Sequence, residues 1–206
     1  QPKAVVVTNF FRDQLDRYGE LYSTLNAVKS GLERIDDSTT LILNADDSMC
    51  ASLGRNTQKK VFYYGISPDT DTCRSSGNGP GGSQINTDAI FCINCKSKYQ
   101  YTNHIYGHLG GFYCTNCGYK RPAAHLECTA ILEAGSSHTT ISWRSVPPLS
   151  SLEQQYKARI NLPGLYNVYN AMAAAACGLA LNYSPETVIN AMQSFECGFG
   201  RMESIS

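Results

Sequence analysis

Several features that define other protein classes are missing from this sequence of 206 residues. Its 17 basic and 17 acidic residues cancel, so no net charge attracts nucleic acid or an anionic membrane surface. The longest apolar run, Ala171 to Leu181, is too short to span a bilayer, and no signal peptide is recognisable. We therefore expect a protein without a membrane span and without general affinity for nucleic acid.

The sequence also lacks the phosphate-binding motif G-x-x-x-x-G-K-[ST]. A glycine-rich stretch from Ser75 to Ser83 has no Gly-Lys-Ser/Thr ending, and no strand leads through it into a helix. This composition is typical of a flexible linker and does not indicate a phosphate site.

Nine cysteines are many for this length, but their spacing indicates a metal site. Two C-x2-C pairs, Cys92/Cys95 and Cys114/Cys117, are separated by eighteen residues. Each pair forms a turn that brings two thiolates together, and two such turns place four sulfurs around one zinc ion. Two disulfides or four unrelated core cysteines are the alternatives.

Four sulfurs fill the coordination shell of zinc, so the predicted site is structural and not catalytic. We expect an inserted zinc ribbon over residues 88–124, whose fold depends directly on the ion because so small a unit buries little core. The other cysteines are odd in number and mostly in apolar surroundings, which favours a reducing cytoplasm over a disulfide framework. They are Cys50, Cys73, Cys128, Cys177 and Cys197.

The hydrophobic pattern predicts an α/β fold. Continuous apolar runs at 4–8, 40–44 and 61–64 are typical of buried parallel strands, and a helical repeat from Leu15 to Leu32 lies between the first two. Alternating patterns after the ribbon predict antiparallel strands at one edge of the sheet. Two helices follow, one after Leu162 and one capped by Ser184.

Ligands of such sheets bind at the carboxyl ends of the strands. The residues after the first two predicted strands are rich in polar groups, so we expect them to share this edge. For any one of them, capping or turn formation is the more common role. These residues are Asn9, Arg12, Asp13, Gln14, Asp16, Asn44, Asp46 and Asp47.

Four blocks of the sequence resemble the central domain of the Mur ligases, in the family's order and across nearly the whole chain. They are TNFFRDQLDRYGE from Thr8, LNADD from Leu43, LPGLYNVYNA from Leu162 and FGRME from Phe199. The resemblance implies a central domain over residues 1–206. Its sheet would be mostly parallel and flanked by helices, with antiparallel edge strands and an inserted four-cysteine zinc ribbon.

The resemblance also implies a reaction. Gln14, where the amino-acid-adding ligases usually carry histidine, and the four-cysteine insert are similar to one branch of the family. In that branch, ATP and magnesium activate the α-carboxylate of D-glutamate in the lipid II stem peptide. A GatD-type glutaminase partner supplies ammonia, and the product is D-isoglutamine for peptidoglycan synthesis in the cytoplasm.

The resemblance assigns nucleotide contacts to Asn167, Asn170 and Arg201. Asn170 matches the asparagine that holds adenine, and Arg201 matches an arginine that contacts the nucleotide. Gln14 replaces a magnesium-linked histidine, which implies a place near magnesium and phosphate. Tyr166 stands where relatives often have histidine, and we expect it to pack near the base.

Lys29 stands at about the spacing of a carbamylated lysine in the family, but its neighbours indicate an ordinary helix lysine. The resemblance implies that the phosphate-binding loop precedes Gln1 and that a domain with a catalytic aspartate follows Ser206. We assign no catalytic residue within this sequence. We expect these 206 residues alone neither to hydrolyse ATP nor to amidate lipid II.

An alternative to the ligase is a zinc-ribbon module that binds nucleic acid or a protein partner. Basic residues lie near aromatic residues in and after the ribbon, an arrangement that can stack bases. Within the ligase, the same ribbon would either dock a partner or only stabilise the fold, and we favour stabilisation. The basic and aromatic residues are Lys96, Lys98, Lys120, Arg121, Tyr99, Tyr101 and Tyr119.

Overall fold

Strands and helices alternate along the residues that the computed structural model describes, which are 1–11, 20–70 and 90–196. The helices are α1 Glu20–Arg34, α2 Ser48–Ser52, α3 Leu165–Ala180 and α4 Pro185–Ser194. The strands are β1 Ala4–Val7, β2 Thr40–Asn44, β3 Val61–Ile66, β4 Gln100–Tyr106, β5 Leu109–Tyr113, β6 Leu126–Ala134, β7 Thr139–Ser145 and β8 Gln154–Ile160.

Six strands form one sheet in the order β1-β2-β3-β6-β7-β8. Strands β1, β2, β3 and β6 are parallel, and β7 and β8 continue the sheet in antiparallel register. The segments that connect the strands explain why some are parallel and others antiparallel. A helix joins β1 to β2, whereas short loops join β6, β7 and β8 and so favour antiparallel neighbours. The predicted mostly parallel sheet with antiparallel strands at one edge is confirmed.

The alternating side chains of β2 divide the core between the two faces of the sheet. Leu41 and Leu43 pack with α1 and α2, whereas Ile42 packs in the cluster that contains α3 and α4. A parallel strand covered on both faces has no solvent-exposed side, which accounts for the uninterrupted apolar sequence of β2.

The ribbon lies between β3 and β6 in the chain and forms a separate two-stranded sheet from β4 and β5. Its core contains Tyr99, Phe112 and Tyr119, and these rings share a cluster with Ala51 of α2 and Tyr63 of β3. The insert is therefore packed against the main domain through buried aromatic surface.

A buried ion pair also joins the ribbon to the main sheet. Arg121, which follows β5, donates from Nε to Oδ1 of the fully buried Asp46 at 2.5 Å. The other carboxylate oxygen accepts hydrogen bonds from the Ile66 amide and the Tyr169 hydroxyl, both at 2.8 Å. Burial raises the pKa of Asp46, and the Arg121 guanidinium opposes that rise. One carboxylate thus connects β2, β3, α3 and the ribbon.

The observed bounds differ slightly from the predicted ones. The first strand ends at Val7 and not at Thr8, whereas the third continues to Ile66. Pairing of Gly65 and Ile66 with β6 extends this strand beyond the predicted apolar run, and Asp46 also accepts a hydrogen bond from the Ile66 amide. Residues 12–19, which include the start of the first predicted helix, and the glycine-rich stretch Ser75 to Ser83 lie outside the described residues.

Replacing Arg121 with alanine is expected to destabilise the protein by about 3 kcal/mol, because Asp46 would remain buried without its cation. Urea unfolding followed by circular dichroism measures this free energy. The double variant Asp46→Asn/Arg121→Met removes both charges and should recover much of the loss. Arg159→Ala, at an exposed position of β8, is the control. Equal losses for Arg121→Ala and Arg159→Ala would contradict a stabilising role for the pair.

Candidate functional site

The four cysteines of the ribbon converge on one point. Their sulfur atoms all lie within 4.8 Å of one another, with Cys92 to Cys117 and Cys95 to Cys114 both at 3.5 Å. Tetrahedral zinc with Zn–S bonds of about 2.3 Å requires sulfurs about 3.8 Å apart, so this set fits zinc with little adjustment. A disulfide requires about 2.05 Å, and all four cysteines are free thiols, so the two-disulfide alternative is not adopted.

The two cysteine turns have the same backbone geometry. The amide of Lys96 donates to the Cys92 carbonyl at 2.9 Å, and that of Gly118 donates to the Cys114 carbonyl at 3.0 Å. Both donors have positive φ, 61° for Lys96 and 75° for Gly118. Glycine adopts this conformation without strain, whereas lysine does so at a cost. The Lys96 ammonium lies 4.0 Å from the centroid of the Tyr22 ring of α1.

The cluster favours the thiolate form at some of its cysteines and the thiol form at another. The Cys117 backbone amide lowers the pKa of Cys114, but burial and hydrogen bonds with the Cys95 and Cys117 thiols raise it to about 11. Hydrogen bonds from the Asn116 and Ser97 side chains lower the pKa of Cys95 to about 5. A thiolate at neutral pH binds zinc without first losing a proton. Because four sulfurs complete a tetrahedral shell, the arrangement suits a structural ion and leaves no open position for a substrate.

The polar residues at the end of β2 and just after it make buried structural contacts. Asp47 caps α2, because its Oδ1 accepts from the amides of Met49 and Cys50 at 2.9 and 3.0 Å. Asn44 donates from its side chain to the Thr8 carbonyl at 2.9 Å and so ties β2 to the end of β1. Asn44, Asp46 and Asp47 are all fully buried. For these three residues, the capping and turn roles expected as the more common ones are the observed roles.

Helix α3 begins over this same edge of the sheet. Its N-cap, Gly164, has φ of 92°, and a side chain there would crowd the Tyr166 ring. The Asn167 side chain donates to the Pro163 carbonyl at 2.7 Å, which fixes the first turn. Asn170 is exposed, and its amide lies 3.5 Å from the Asn167 side-chain oxygen. The Tyr169 bond to Asp46 holds this turn at the carboxyl end of β2.

Asn170 lines a pocket of about 260 Å³ at the carboxyl edge. Two exposed rings, Phe11 after β1 and Tyr166 on α3, contribute aromatic surface with 44% and 45% of each residue exposed. The other lining residues are Asn9, Leu109 and Tyr169. Aromatic surface beside an amide that both donates and accepts suits a planar heterocycle such as a nucleobase.

Three of the pocket residues, Phe11, Leu109 and Tyr169, received no site role from the sequence. Tyr169 was considered only as part of the block from Leu162. Phe11 lies two residues after the predicted edge residue Asn9. The rule that ligands bind at the carboxyl ends of strands therefore predicted the location of this segment, but not that the Phe11 ring would line the pocket. Leu109 comes from the ribbon, and nothing in the sequence indicates that the hairpin reaches the sheet edge. Gln14 and Arg201, predicted near magnesium and the nucleotide, lie outside the described residues. Arg12, Asp13 and Asp16 lie there too.

Lys29 lies away from this pocket. It is exposed on α1 and lines a separate hollow of about 240 Å³ with residues that include Arg55 and Asn94. This position agrees with an ordinary helix lysine.

In the described ribbon, two of the three tyrosines that were predicted to stack bases are buried. Tyr99 and Tyr119 are only 3% and 8% exposed, because both rings form the ribbon core. Arg121 is paired with Asp46, and Lys96 lies over Tyr22. Among the described residues, no helix combines the length and apolar character needed to cross a membrane.

Comparisons with known proteins agree with the motif blocks. No family model matches the chain. Over 205 residues it is 29% identical to lipid II isoglutaminyl synthase (glutamine-hydrolyzing) subunit MurT of Streptococcus pneumoniae, which covers 99% of this chain and 41% of that protein. It is 28% identical over 202 residues to MurT of Staphylococcus aureus, again with 41% of that protein covered. The chain thus spans about two fifths of the length of these relatives.

The fold of this chain is also similar to those of solved ligase structures. A pseudomurein peptide ligase type C from Methanothermus fervidus superposes with a TM-score of 0.72 and 26% identity, over 99% of this chain and 36% of that one. MurF from Acinetobacter baumannii, at 16% identity, shares the fold with a TM-score of 0.61 over 100% of this chain and 32% of its own. In sequence and in fold, this chain is therefore similar to the MurT subunits and to the Mur ligases.

Proposed function

We propose that this chain is the nucleotide-binding part of a ligase that amidates lipid II. The ligase would use ATP to activate the α-carboxylate of D-glutamate in the stem peptide, and ammonia from a GatD-type glutaminase would convert it to D-isoglutamine. The reaction would serve peptidoglycan synthesis in the cytoplasm. The observation that carries the proposal is similarity to MurT along 99% of the chain. The pocket around Asn170 supports it.

A carboxylate is a poor electrophile, so the proposed reaction needs a leaving group. Phosphoryl transfer from ATP supplies one, and magnesium and cationic side chains neutralise the charge that develops on the phosphates. Within this chain, Asn170 would donate to and accept from the adenine edge. Phe11 and Tyr166 would contact the faces or edges of the base.

Two further residues have roles carried over from the resemblance. Arg201 would contact the nucleotide, and Gln14 would lie near magnesium and phosphate. Glutamine is neutral, so Gln14 would orient a metal-bound water or phosphate more readily than it would hold the metal. We assign no catalytic group to these 206 residues, and we propose that they do not turn over ATP on their own.

We propose zinc as the ion of the cysteine cluster, with a structural role. Cys92, Cys95, Cys114 and Cys117 would hold it, and the bound ion would fix the two turns that frame the ribbon. The ribbon would begin and end within residues 88–124, inside a central domain that the remaining residues form.

Asn170→Ala is expected to raise the KM for ATP about tenfold, because a base edge buried without its partner loses hydrogen bonds. The assay is glutamine- or ammonia-dependent amidation of lipid II by the full-length ligase subunit, with and without its glutaminase. Asn190→Ala, exposed on α4 and outside the pocket, is the matched control. Unchanged kinetics in Asn170→Ala would remove this residue from the nucleotide site. Absence of amidation by the wild-type pair would refute the proposed reaction.

Removal of zinc is expected to loosen residues 90–120 while the main sheet stays folded. Hydrogen exchange with and without chelator measures the local change, and elemental analysis should find one zinc per chain. Cys114→Ser should lose the metal and solubility, whereas Cys177→Ser, outside the cluster, should keep both. Protein that is purified without chelators and contains no zinc would rule out this role for the cluster.

A further inference from the structure

The turn of the ribbon hairpin, residues 107–110, reaches the carboxyl edge of the main sheet. The Gly110 amide donates to the Asp46 carbonyl at 3.0 Å. Leu109 is 2% exposed and lines the same pocket as Phe11 and Asn170. An insert that begins after β3 and returns at β6 therefore supplies part of the wall of a pocket formed mainly by α3 and the segment after β1.

His108 connects this turn to the segment after β1. Its Nε2 lies 3.3 Å from Oδ2 of Asp47, and both side chains are at most 2% exposed. The same Oδ2 accepts the Phe10 amide at 2.7 Å. The imidazole also packs edge-on against the Phe11 ring, with centroids 5.0 Å apart. Because a carboxylate only accepts, Nε2 is the nitrogen that carries the proton in this contact.

The cysteine cluster lies at the opposite end of β5 from this turn. Strand β5 runs from Leu109 to Tyr113, and the next residue is the ligand Cys114. The Tyr101 hydroxyl of β4 donates to the His108 carbonyl at 3.2 Å, which holds the turn against its own hairpin. The position of the turn is thus fixed from the ribbon side by β4 and β5 and from the sheet side by Asp46 and Asp47.

We propose that the ribbon turn forms part of the nucleotide pocket: Leu109 forms one wall, and His108 is a positioning residue that holds Phe10 through Asp47 and Phe11 through direct ring contact. The identity of the ligand as an adenine nucleotide rests on the proposed function. The proposal that His108 positions the segment after β1 depends only on the contacts described above, and not on the identity of the ligand. The ribbon then sets nucleotide affinity in addition to supporting the fold.

The first test compares His108→Leu with His108→Gln in the full-length protein, with Gln100→Ala on β4 as control. In His108→Leu, the Asp47 carboxylate loses one hydrogen-bond donor, so the segment after β1 is held less firmly. The affinity for AMP-PNP with magnesium, measured by calorimetry, should therefore fall about fivefold or more. Glutamine carries an amide N–H near the position of Nε2 and should restore most of the affinity. Zinc content should be unchanged in every variant.

Hydrogen exchange of peptides covering residues 5–11 gives a readout that needs no nucleotide. The Phe10 amide should exchange faster in His108→Leu and near the wild-type rate in His108→Gln. Wild-type exchange together with wild-type affinity in His108→Leu would overturn the positioning role. If wild-type protein bound no nucleotide while this exchange pattern held, the proposed nucleotide site would fail and the positioning role would stand.

The second test changes the wall itself. Leu109→Ala enlarges the pocket and should weaken AMP-PNP binding several-fold, whereas Leu109→Met conserves volume and should bind as wild type does. Leu109→Trp fills the space and should abolish binding while the zinc content persists. Retained binding in Leu109→Trp would show that the base does not occupy this pocket and would overturn the assignment of Leu109.

Discussion

The buried carboxylate of Asp46 is the interaction on which the rest of the arrangement depends. A desolvated charge is costly unless a cation and hydrogen bonds compensate it, and Asp46 has both. Arg121 comes from the end of the ribbon, Tyr169 from the first turns of α3, and the Ile66 amide from β3. Because these partners lie on three different elements, one carboxylate fixes strand, helix and insert at the edge where α/β sheets bind ligands.

In this arrangement, the charged residues that stabilise the fold are different from the residues that line the pocket. The acidic residues after β2 are turned inward and fully occupied, so Asp46 and Asp47 hold the scaffold and leave ligand contact to others. The surface offered to a ligand is aromatic and amide in character, from Phe11, Tyr166 and Asn170. Such a surface would suit a flat base, and the described residues that line it carry no charge for phosphates. This fits a division in which phosphate chemistry depends on other groups of the full ligase.

The proposed zinc ion would act at a distance from the chemistry. Four thiolates would complete its shell, so it would offer no site for a reacting group. Its effect would be geometric, since the cysteine turn at Cys114 continues directly from β5, whose first residue, Leu109, lies in the pocket wall. Partner docking by the ribbon stays a separate hypothesis, and the described contacts place its aromatic core against the main domain.

Much of the fold was predictable because its signals are local. Apolar runs marked the parallel strands, alternation marked the antiparallel ones, and the spacing of the C-x2-C pairs marked the sulfur cluster. The position of Asn170 at the carboxyl edge followed from the motif block and the edge rule. The roles of Asp46 and Leu109 were not predictable, because they depend on where the insert docks. The Arg121 partner of Asp46 is 75 residues away in the chain.

The central claim is that the base of a nucleotide lies between the segment after β1, helix α3 and the ribbon turn. A crystal structure of the full-length ligase subunit with AMP-PNP and magnesium tests it most directly. Adenine density beside Phe11 and Tyr166, within hydrogen-bond distance of the Asn170 amide, is the predicted result. Clear adenine density at any other position, with this pocket filled only by solvent, would contradict the account.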